Sequence, residues 1–345
     1  MGARPVLTTR AILGLFLPLA ATSTMMSVST PIINAGLARM PDPELNLAVF
    51  GIAFTLSVLL ESPVFALQQA VIAWYPGSGS IRPLVRFSIG LGLALTALEC
   101  LVVFTPVAPL IFRRLLGVGE ELVEPAVLAL RIGVFFPFLV AVRSAYQGVL
   151  VGRRRSTPIA VGTFLRLLSL AILVFTLVPR LPWGGPASAV AALAAAVLVE
   201  TLYVMVVTAR TPERQEDFSP AHEAGRRLSG KIRFLLPLAW TMVLGSVTNP
   251  LINAIIARTP DPRQGLAVYS VVASLVWFLA SSVLRYSSVT IALGTTRTNL
   301  RRLERFLWRY VGGVCAVVFL VTLTPAADVL LEKVIGLTPE MAARA

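Results

Sequence analysis

Ionisable and amide side chains interrupt several long apolar runs of this sequence. Glu61 and Gln68 are seven residues apart in LLESPVFALQQAVIAW, and Arg143 and Gln147 are four apart in LRIGVFFPFLVAVRSAYQGVL. Both spacings place the two side chains on one face of a helix. A charge inside an apolar layer needs an oppositely charged partner or a water-filled cavity. These four residues and Arg285 are therefore the first candidates for binding a solute or an ion, with structural ion pairing as the alternative.

Four more ionisable residues, Arg131, Arg166, Glu99 and Glu200, lie in runs of the same kind. We expect them closer to a membrane interface, where a long side chain reaches water without a buried partner. They are weaker candidates for the same binding role. Together with the first group, the apolar runs contain four arginines and three glutamates. The excess of positive charge favours an anionic solute over a cationic one.

Two apolar runs also carry matching polar stripes. The stripes consist of Ser27, Thr30 and Asn34 in the first run and of Ser246, Asn249 and Asn253 in a later one. Their three-then-four spacing places each set on one helix face. Pro31 and Pro250 lie within the stripes and weaken the backbone hydrogen bonding there. The stripes either line a cavity or join neighbouring helices by hydrogen bonds, and both interpretations stay open.

The elements that hold these residues must be helices that cross a membrane. The chain is 56% hydrophobic and 14% charged, and its mean hydropathy is +0.81, whereas soluble domains are far more polar. Nine runs are long enough to cross a bilayer as helices: 10–36, 46–74, 84–106, 125–150, 157–179, 187–208, 232–257, 265–293 and 304–325. Strands of a membrane barrel are shorter and alternate in polarity. The sequence therefore predicts an all-α integral membrane protein.

The basic residues orient the chain in the membrane. If the N-terminus is cytoplasmic, most of the lysines and arginines behind the net charge of +13 fall on that side, as the positive-inside rule requires. We therefore expect a multi-pass protein of the cell (inner or plasma) membrane that contacts lipid and no nucleic acid. Cys100 and Cys315 lie in apolar runs, and the sequence contains no phosphate-binding glycine loop or zinc motif. We expect no enzyme activity, no cofactor and no metal.

The chain also contains an internal duplication. The segment PIINAGLARMPDP at 31–43 returns as PLINAIIARTPDP at 250–262, and further matches keep the same constant offset along the chain. We expect a six-helix bundle over 1–210, a cytoplasmic linker over 211–231 and a second bundle over 232–345 that is truncated after its third helix. An even number of spans in the first bundle gives both repeats the same orientation. The sequence thus contains about nine transmembrane helices, whereas two repeats of six helices imply twelve.

Several segments resemble a known family. They are FLPLA in the first run, IRFLLPLAW and PLINAIIAR between 232 and 258, LRIGVFFPFLVAVRSAYQGVL at 130–150 and STPIAVGTFLRLLSLAIL at 156–173. In these segments the chain resembles the multidrug and toxic compound extrusion (MATE) and flippase superfamily, and more closely the progressive ankylosis family of membrane exporters. The resemblance implies a V-shaped pair of six-helix bundles around a central cavity that opens to each side of the membrane in turn.

The resemblance also implies a cargo. Ankylosis-type members are associated with the export of small anions such as pyrophosphate, ATP or citrate. On this view Arg143 and Arg285 suit the binding of an anion by their charge, while Glu61 or Glu200 binds a coupling proton or cation. The chain departs from many multidrug members because its first helix has no acidic residue for cation coupling.

We therefore expect a secondary active exporter that moves a small organic or phosphate anion by alternating access. Its expected partners are the anionic solute, membrane lipid and a coupling ion, H⁺ or Na⁺. The alternatives are a flippase for lipid-linked saccharide, a multidrug or cation antiporter, and a non-transporting membrane scaffold.

Overall fold

A computed structural model of the protein describes residues 7–78, 80–117, 119–212, 228–256, 281–294 and 296–323. Within these ranges all regular secondary structure is helical. The all-α fold expected from the composition is confirmed.

The described part of the range 1–210 contains ten α-helices. These are α1 (Thr9–Ser27), α2 (Ser29–Leu37), α3 (Pro43–Phe65), α4 (Leu67–Trp74), α5 (Arg82–Val103), α6 (Val107–Leu110), α7 (Glu120–Gly133), α8 (Phe136–Gly152), α9 (Thr157–Thr176) and α10 (Gly185–Arg210). Several of them join end to end, so that the ten helices amount to fewer membrane crossings.

Five spans in the described residues are long and apolar enough to cross a membrane: Thr9–Leu37, Leu45–Gly77, Arg82–Val103, Thr157–Arg180 and Gly185–Arg210. Helices α7 and α8 make a sixth span if they are counted together, with a bend of 40° at the break between them. With that pair counted as one, the spans coincide with the first six apolar runs of the sequence. Five of the six spans expected in the first repeat are thus confirmed by length and composition, and the sixth depends on this bent pair.

Proline determines where many of these helices begin or break. A proline stands in the first turn of α3, α5, α8, α9 and α10, where its missing N–H leaves no helical hydrogen bond unmade. Pro31 acts differently because it lies inside the first span. It cannot donate to the carbonyl group of Ser27 four residues earlier, and the first span is interrupted at Val28, between α1 and α2.

The described ranges of the second repeat include the helices α11 (Leu228–Ile256), α12 (Tyr286–Leu293) and α13 (Arg297–Leu323). At the offset that pairs position 31 with position 250, α12 matches α4 at both of its ends. The duplication read from the sequence therefore extends to the bounds of this helix. One difference is that α11 runs without a break past the position that matches Val28.

The chain packs as two compact units, one formed by 1–24 with 247–345 and the other by 25–246. These units reflect packing, whereas the expected boundaries at 210 and 232 reflect sequence duplication, so the expected domain division remains a prediction. In the first unit, the ring of Phe16 meets the rings of Tyr286 and Tyr310 edge to face, with centroids 5.5 and 4.8 Å apart.

Close helix contacts hold the unit 25–246 together. Helix α8 packs against α4, α5 and α10. Gly148 of α8 lies against α4, and a Cβ atom there would be 2.8 Å from the side chain of Val71. Helices inside a membrane gain little from the hydrophobic effect, because lipid tails are as apolar as the helices, so small residues that allow close packing stabilise them. This packing brings the polar faces of α8, α9 and α10 together.

Candidate functional site

Arg143, Gln147, Arg166 and Glu200 meet in the interior of the unit 25–246. Arg143 and Gln147 lie on α8, Arg166 on α9 and Glu200 on α10. Glu200 has no exposed surface, while the three other side chains lie in residues only 4–6% exposed. We call these four residues and Thr163 the arginine cluster.

Glu200 is the hydrogen-bond acceptor at the centre of the arginine cluster. Its Oε2 atom accepts a hydrogen bond of 3.0 Å from Arg143 Nη1, and Arg166 Nη1 lies 3.7 Å from the same oxygen. Its Oε1 atom accepts hydrogen bonds from Gln147 Nε2 at 3.0 Å and from the Thr163 hydroxyl group at 2.8 Å. The two guanidinium groups and the single carboxylate leave one net positive charge.

A glycine allows α9 to approach α10 at this point. A Cβ atom on Gly162 would lie 3.1 Å from Tyr203 Cδ1 and 3.5 Å from Glu200 Cγ. The first of these distances is shorter than an ordinary van der Waals contact. Gly162 therefore lets the neighbouring Thr163 reach the carboxylate of Glu200.

The expectation that Arg166, Glu99 and Glu200 reach an interface was wrong. Each of them is at most 4% exposed, so none of their charged ends reaches water. Arg166 and Glu200 pair with each other instead. Arg131, the fourth of these residues, is exposed, and its guanidinium group lies 5.6 Å from the centre of the Phe104 ring. Position along a run therefore did not reveal which of these side chains faces another helix.

The first polar stripe does not form one buried face. Ser27 and Thr30 are half-buried and Asn34 is exposed, and the break at Val28 separates Ser27 from the other two residues. Ser29 is the residue that enters the interior, and its hydroxyl oxygen accepts a hydrogen bond of 2.9 Å from Arg166 Nη2. The first span thus contributes Ser29 to the surroundings of the arginine cluster.

The second polar stripe is only partly described. The Ser246 hydroxyl group donates to the carbonyl group of Met242 in its own helix at 2.9 Å. The side chains of Asn249 and Asn253 lie outside the described residues. Whether this stripe faces a cavity remains a prediction.

Glu61 and Glu99 form a second group of buried charges, on α3 and α5. Glu61 is 3% exposed and Glu99 has no exposed surface. The two carboxyl groups are close enough to interact electrostatically, and Glu61 also interacts with Arg143. The Ser57 hydroxyl group lies beside Glu99, but neither oxygen of Glu99 makes a hydrogen bond of ordinary distance and angle to a described residue, and the same holds for Oε2 of Glu61. We call Glu61 and Glu99 the carboxyl pair.

Gln68 and Arg285 occupy related places in the two repeats. The helix that carries Glu61 ends at Phe65, so Gln68 lies beyond an interruption at Ala66, although both side chains are buried. Arg285 occupies the position that matches Ala66 and likewise precedes a helix. Its Nε atom donates to the Ser23 hydroxyl oxygen at 2.8 Å, within the unit 1–24 with 247–345. Arg285 and Arg143 therefore belong to different units.

Three hydroxyl groups near these sites were not predicted from the sequence. Thr163 belongs to the arginine cluster, Ser29 contacts the cluster, and Ser57 lies beside Glu99. The signal for two of them was helical spacing: Thr163 is three residues before Arg166, and Ser57 is four residues before Glu61. Ser29 gave no such signal, because its place depends on the break in the first span. No group of three or more His, Cys, Asp or Glu side chains in the described ranges is arranged to hold a metal ion.

Comparison with known proteins identifies the fold. No protein-family model matches the chain, and no curated protein matches it. Solved structures do match. A MATE protein in complex with MaL6 has a TM-score of 0.74 at 19% identity, over 97% of this chain and 76% of that one.

Two other solved structures give the same result. The eukaryotic MATE transporter AtDTX14 has a TM-score of 0.72 at 15% identity, over 97% of this chain and 76% of that one. A MOP superfamily transporter from Pyrococcus furiosus has a TM-score of 0.68 at 17% identity, over 97% of this chain and 73% of that one. The chain is therefore a multi-span membrane protein with the fold of the MATE transporters of the MOP superfamily.

Proposed function

We propose that this protein is a secondary active membrane exporter that moves a small organic or phosphate anion of the pyrophosphate, nucleotide or citrate type. It works by alternating access and is driven by an ion gradient, H⁺ or Na⁺. It resides in the cell membrane with its N-terminus in the cytoplasm and belongs to the ankylosis-type members of its superfamily. The likeness to transporter structures supports the transport part of this proposal.

The arginine cluster is the observation that supports an anionic cargo. Two guanidinium groups share one carboxylate, and Arg143 Nε makes no hydrogen bond to any described residue. A guanidinium group with free donors is a strong binder of carboxylate and phosphate. The cluster is buried, so an anion reaches it only when the helices around it separate, as alternating access requires.

The test is efflux of radiolabelled pyrophosphate and citrate from proteoliposomes that contain the protein. We expect Arg143→Gln to reduce the efflux rate by about tenfold or more, because a hydrogen bond to a charged group contributes about 1.5–3 kcal/mol. Arg180→Gln is the matched control, since Arg180 ends the span that carries Arg166 but is exposed and bonds only the Thr176 carbonyl oxygen of its own turn. Wild-type efflux from Arg143→Gln would refute the anion assignment.

A folding defect must be separated from a binding defect. Arg143→Gln leaves the charges of Glu200 and Arg166 balanced, whereas Glu200→Gln removes the carboxylate that both guanidinium groups contact. The double variant Arg143→Gln/Glu200→Gln retains one positive charge and provides a second test of the same contact. Size-exclusion profiles in detergent identify the variants that fold. Arg285→Gln tests the second proposed anion contact independently, because Arg285 lies in the other unit.

The second candidate function is a flippase for lipid-linked saccharide, and one groove favours it. The groove has a volume of about 650 Å³ and lies between α5 and α11, with Phe87, Leu91, Leu235 and Trp240 among its lining residues and Arg86 beside them. An acyl chain fits such an apolar surface, and a phosphate headgroup fits Arg86. Scrambling of a fluorescent polyprenyl-phosphate lipid in vesicles, without anion efflux, would favour this function over the first.

A further inference from the structure

Five buried ionisable residues of the first repeat carry charges that do not balance. Arg143 and Arg166 contribute two positive charges, and Glu61, Glu99 and Glu200 contribute three negative charges when ionised. The five interact as one set, because Glu61 interacts with Arg143 and with Glu99, while Glu200 contacts both arginines. A net charge in a buried place is costly. One additional positive charge would make the set neutral.

Hydrogen bonding indicates where that positive charge belongs. Both oxygens of Glu200 already accept hydrogen bonds within the arginine cluster. In contrast, Oε2 of Glu61 and both oxygens of Glu99 accept none from the described residues, although both side chains are almost entirely buried. A buried carboxylate oxygen without a donor is rare in folded proteins. The open acceptor positions therefore lie at the carboxyl pair.

Two hydroxyl groups lie beside these open positions. Ser57 is one turn before Glu61 on α3 and lies beside Glu99. Thr96 is one turn before Glu99 on α5, and its Oγ1 atom is buried without a hydrogen-bond partner among the described residues. A cavity of about 20 Å³ borders Ser57, which is room for one water molecule. The helices of the pair thus carry two further oxygen atoms one turn away from the carboxyl groups, and a small space lies next to one of these atoms, the Ser57 hydroxyl oxygen.

We propose that Glu61 and Glu99 form a buried site that binds one monovalent cation, H⁺ or Na⁺, with Ser57 and Thr96 as neighbouring oxygen donors. Two carboxylates that share a buried place cannot both remain ionised without such a charge. The charged groups that face the pair are Arg143 and, behind it, Arg166 and Glu200, whereas Arg131 of the adjoining α7 is exposed over Phe104.

This site deepens the proposed function by locating the coupling ion, and only its role in transport rests on that function. A cation at the pair changes the charge that faces Arg143. The affinity of the pair for a cation and the affinity of Arg143 for an anion are therefore expected to be coupled.

The experiment measures cation binding to the purified full chain with no anionic cargo present. Infrared difference spectra between acidic and alkaline buffer detect the C=O stretch of a protonated carboxyl group. Binding of radioactive sodium, measured on immobilised protein, detects Na⁺. Both measurements are repeated on Glu61→Gln and Glu99→Gln, and on Glu124→Gln as the matched control, because Glu124 is an exposed glutamate of α7.

A carboxyl band that titrates in the wild type and in Glu124→Gln but is lost in Glu99→Gln would establish a proton site. Saturable sodium binding that is lost in both pair variants would establish a sodium site. The proposal is overturned if the wild type shows neither signal, or if both signals persist unchanged in Glu61→Gln and Glu99→Gln. None of these readouts includes anion flux, so failure of the proposed cargo leaves the result intact.

Discussion

Glu200 and Glu99 are buried to the same extent, but they differ in their hydrogen bonds and in their charged neighbours. Both are completely buried between helices of the unit 25–246. Glu200 accepts three hydrogen bonds and contacts two guanidinium groups, whereas Glu99 accepts none from the described residues and has another carboxyl group as its charged neighbour.

The difference shows that burial alone does not define the role of an intramembrane carboxyl group. A partnered carboxylate joins three helices and stabilises them in one arrangement, because removing it leaves its partners unpaired. An ionised carboxyl group with open acceptor positions, such as that of Glu99, instead repels the neighbouring carboxylate of Glu61 unless a cation is bound between them or to one of them. The arginine cluster therefore acts as a structural joint that also carries positive charge, and the carboxyl pair is the place that responds to ions.

The same substitution, glutamate to glutamine, at Glu200 and at Glu99 tests this difference, and Glu200→Gln should have the largest effect. Glu200→Gln removes the carboxylate that both Arg143 and Arg166 contact, and we expect it to lower the free energy of unfolding by about 3–5 kcal/mol. Denaturation of the purified protein by increasing sodium dodecyl sulfate fractions measures this loss. A loss under about 1 kcal/mol would mean that water or another group reaches the two arginines.

Thr163→Val should have the next largest effect, because it removes a hydroxyl donor to the Glu200 carboxylate at nearly constant volume. We expect a loss of about 1.5–3 kcal/mol in the same assay. The control is Thr176→Val, since the Thr176 hydroxyl group is exposed and bonds only the Ile172 carbonyl oxygen of its own helix. Equal losses in the two variants would show that the bond to Glu200 contributes nothing.

Gly162→Ala tests whether the close approach of α9 and α10 supports the arginine cluster. The added methyl group meets Tyr203 at 3.1 Å, and we expect a loss of about 1–2 kcal/mol from the strain. Gly51→Ala is the control, because a Cβ atom on Gly51 meets nothing within 4 Å. There the better helix propensity of alanine should raise stability by about 0.5–1 kcal/mol. A stabilised Gly162→Ala would contradict the tight packing.

Glu99→Gln should have the smallest effect, which sharpens the contrast with Glu200→Gln. Glutamine has nearly the shape of a protonated glutamic acid and introduces no charge, so we expect the free energy of unfolding to change by less than about 1 kcal/mol. The measurement is the same denaturation series at neutral pH. A loss as large as that of Glu200→Gln would show that the Glu99 carboxylate has a partner of its own.

Much of the fold was predictable because it follows from local features of the chain. Apolar runs of membrane-spanning length gave the spans of the first repeat, and the constant offset between the two copies anticipated matching helix ends such as those of α4 and α12. Proline also acts on its own helical turn, so Pro31 correctly predicted weakened backbone hydrogen bonding near the interruption of the first span at Val28. Its counterpart Pro250 did not produce a break in α11, so the proline alone does not determine whether the helix is interrupted.

The candidate site was only partly predictable. Spacing correctly grouped Arg143 with Gln147, because residues four apart share a face on any helix. It ranked Glu200 and Arg166 too low, and it selected Thr30 and Asn34 where Ser29 is the residue that contacts Arg166. Each of these errors concerns which other helix a side chain faces, and that depends on helix rotation and packing.

The sequence by itself determined that the chain is an all-helical membrane protein, that it is duplicated, and which polar residues lie within its spans, because hydropathy and repetition are properties of the order of residues. Only the tertiary structure decided that Glu200 is shared by Arg143 and Arg166, while Glu61 and Glu99 are neighbours with open acceptor positions. The physical reason is that a salt bridge or a repulsion depends on distances of a few ångströms between separate helices. Those distances are set by small-residue contacts such as Gly148 against Val71 and Gly162 against Tyr203.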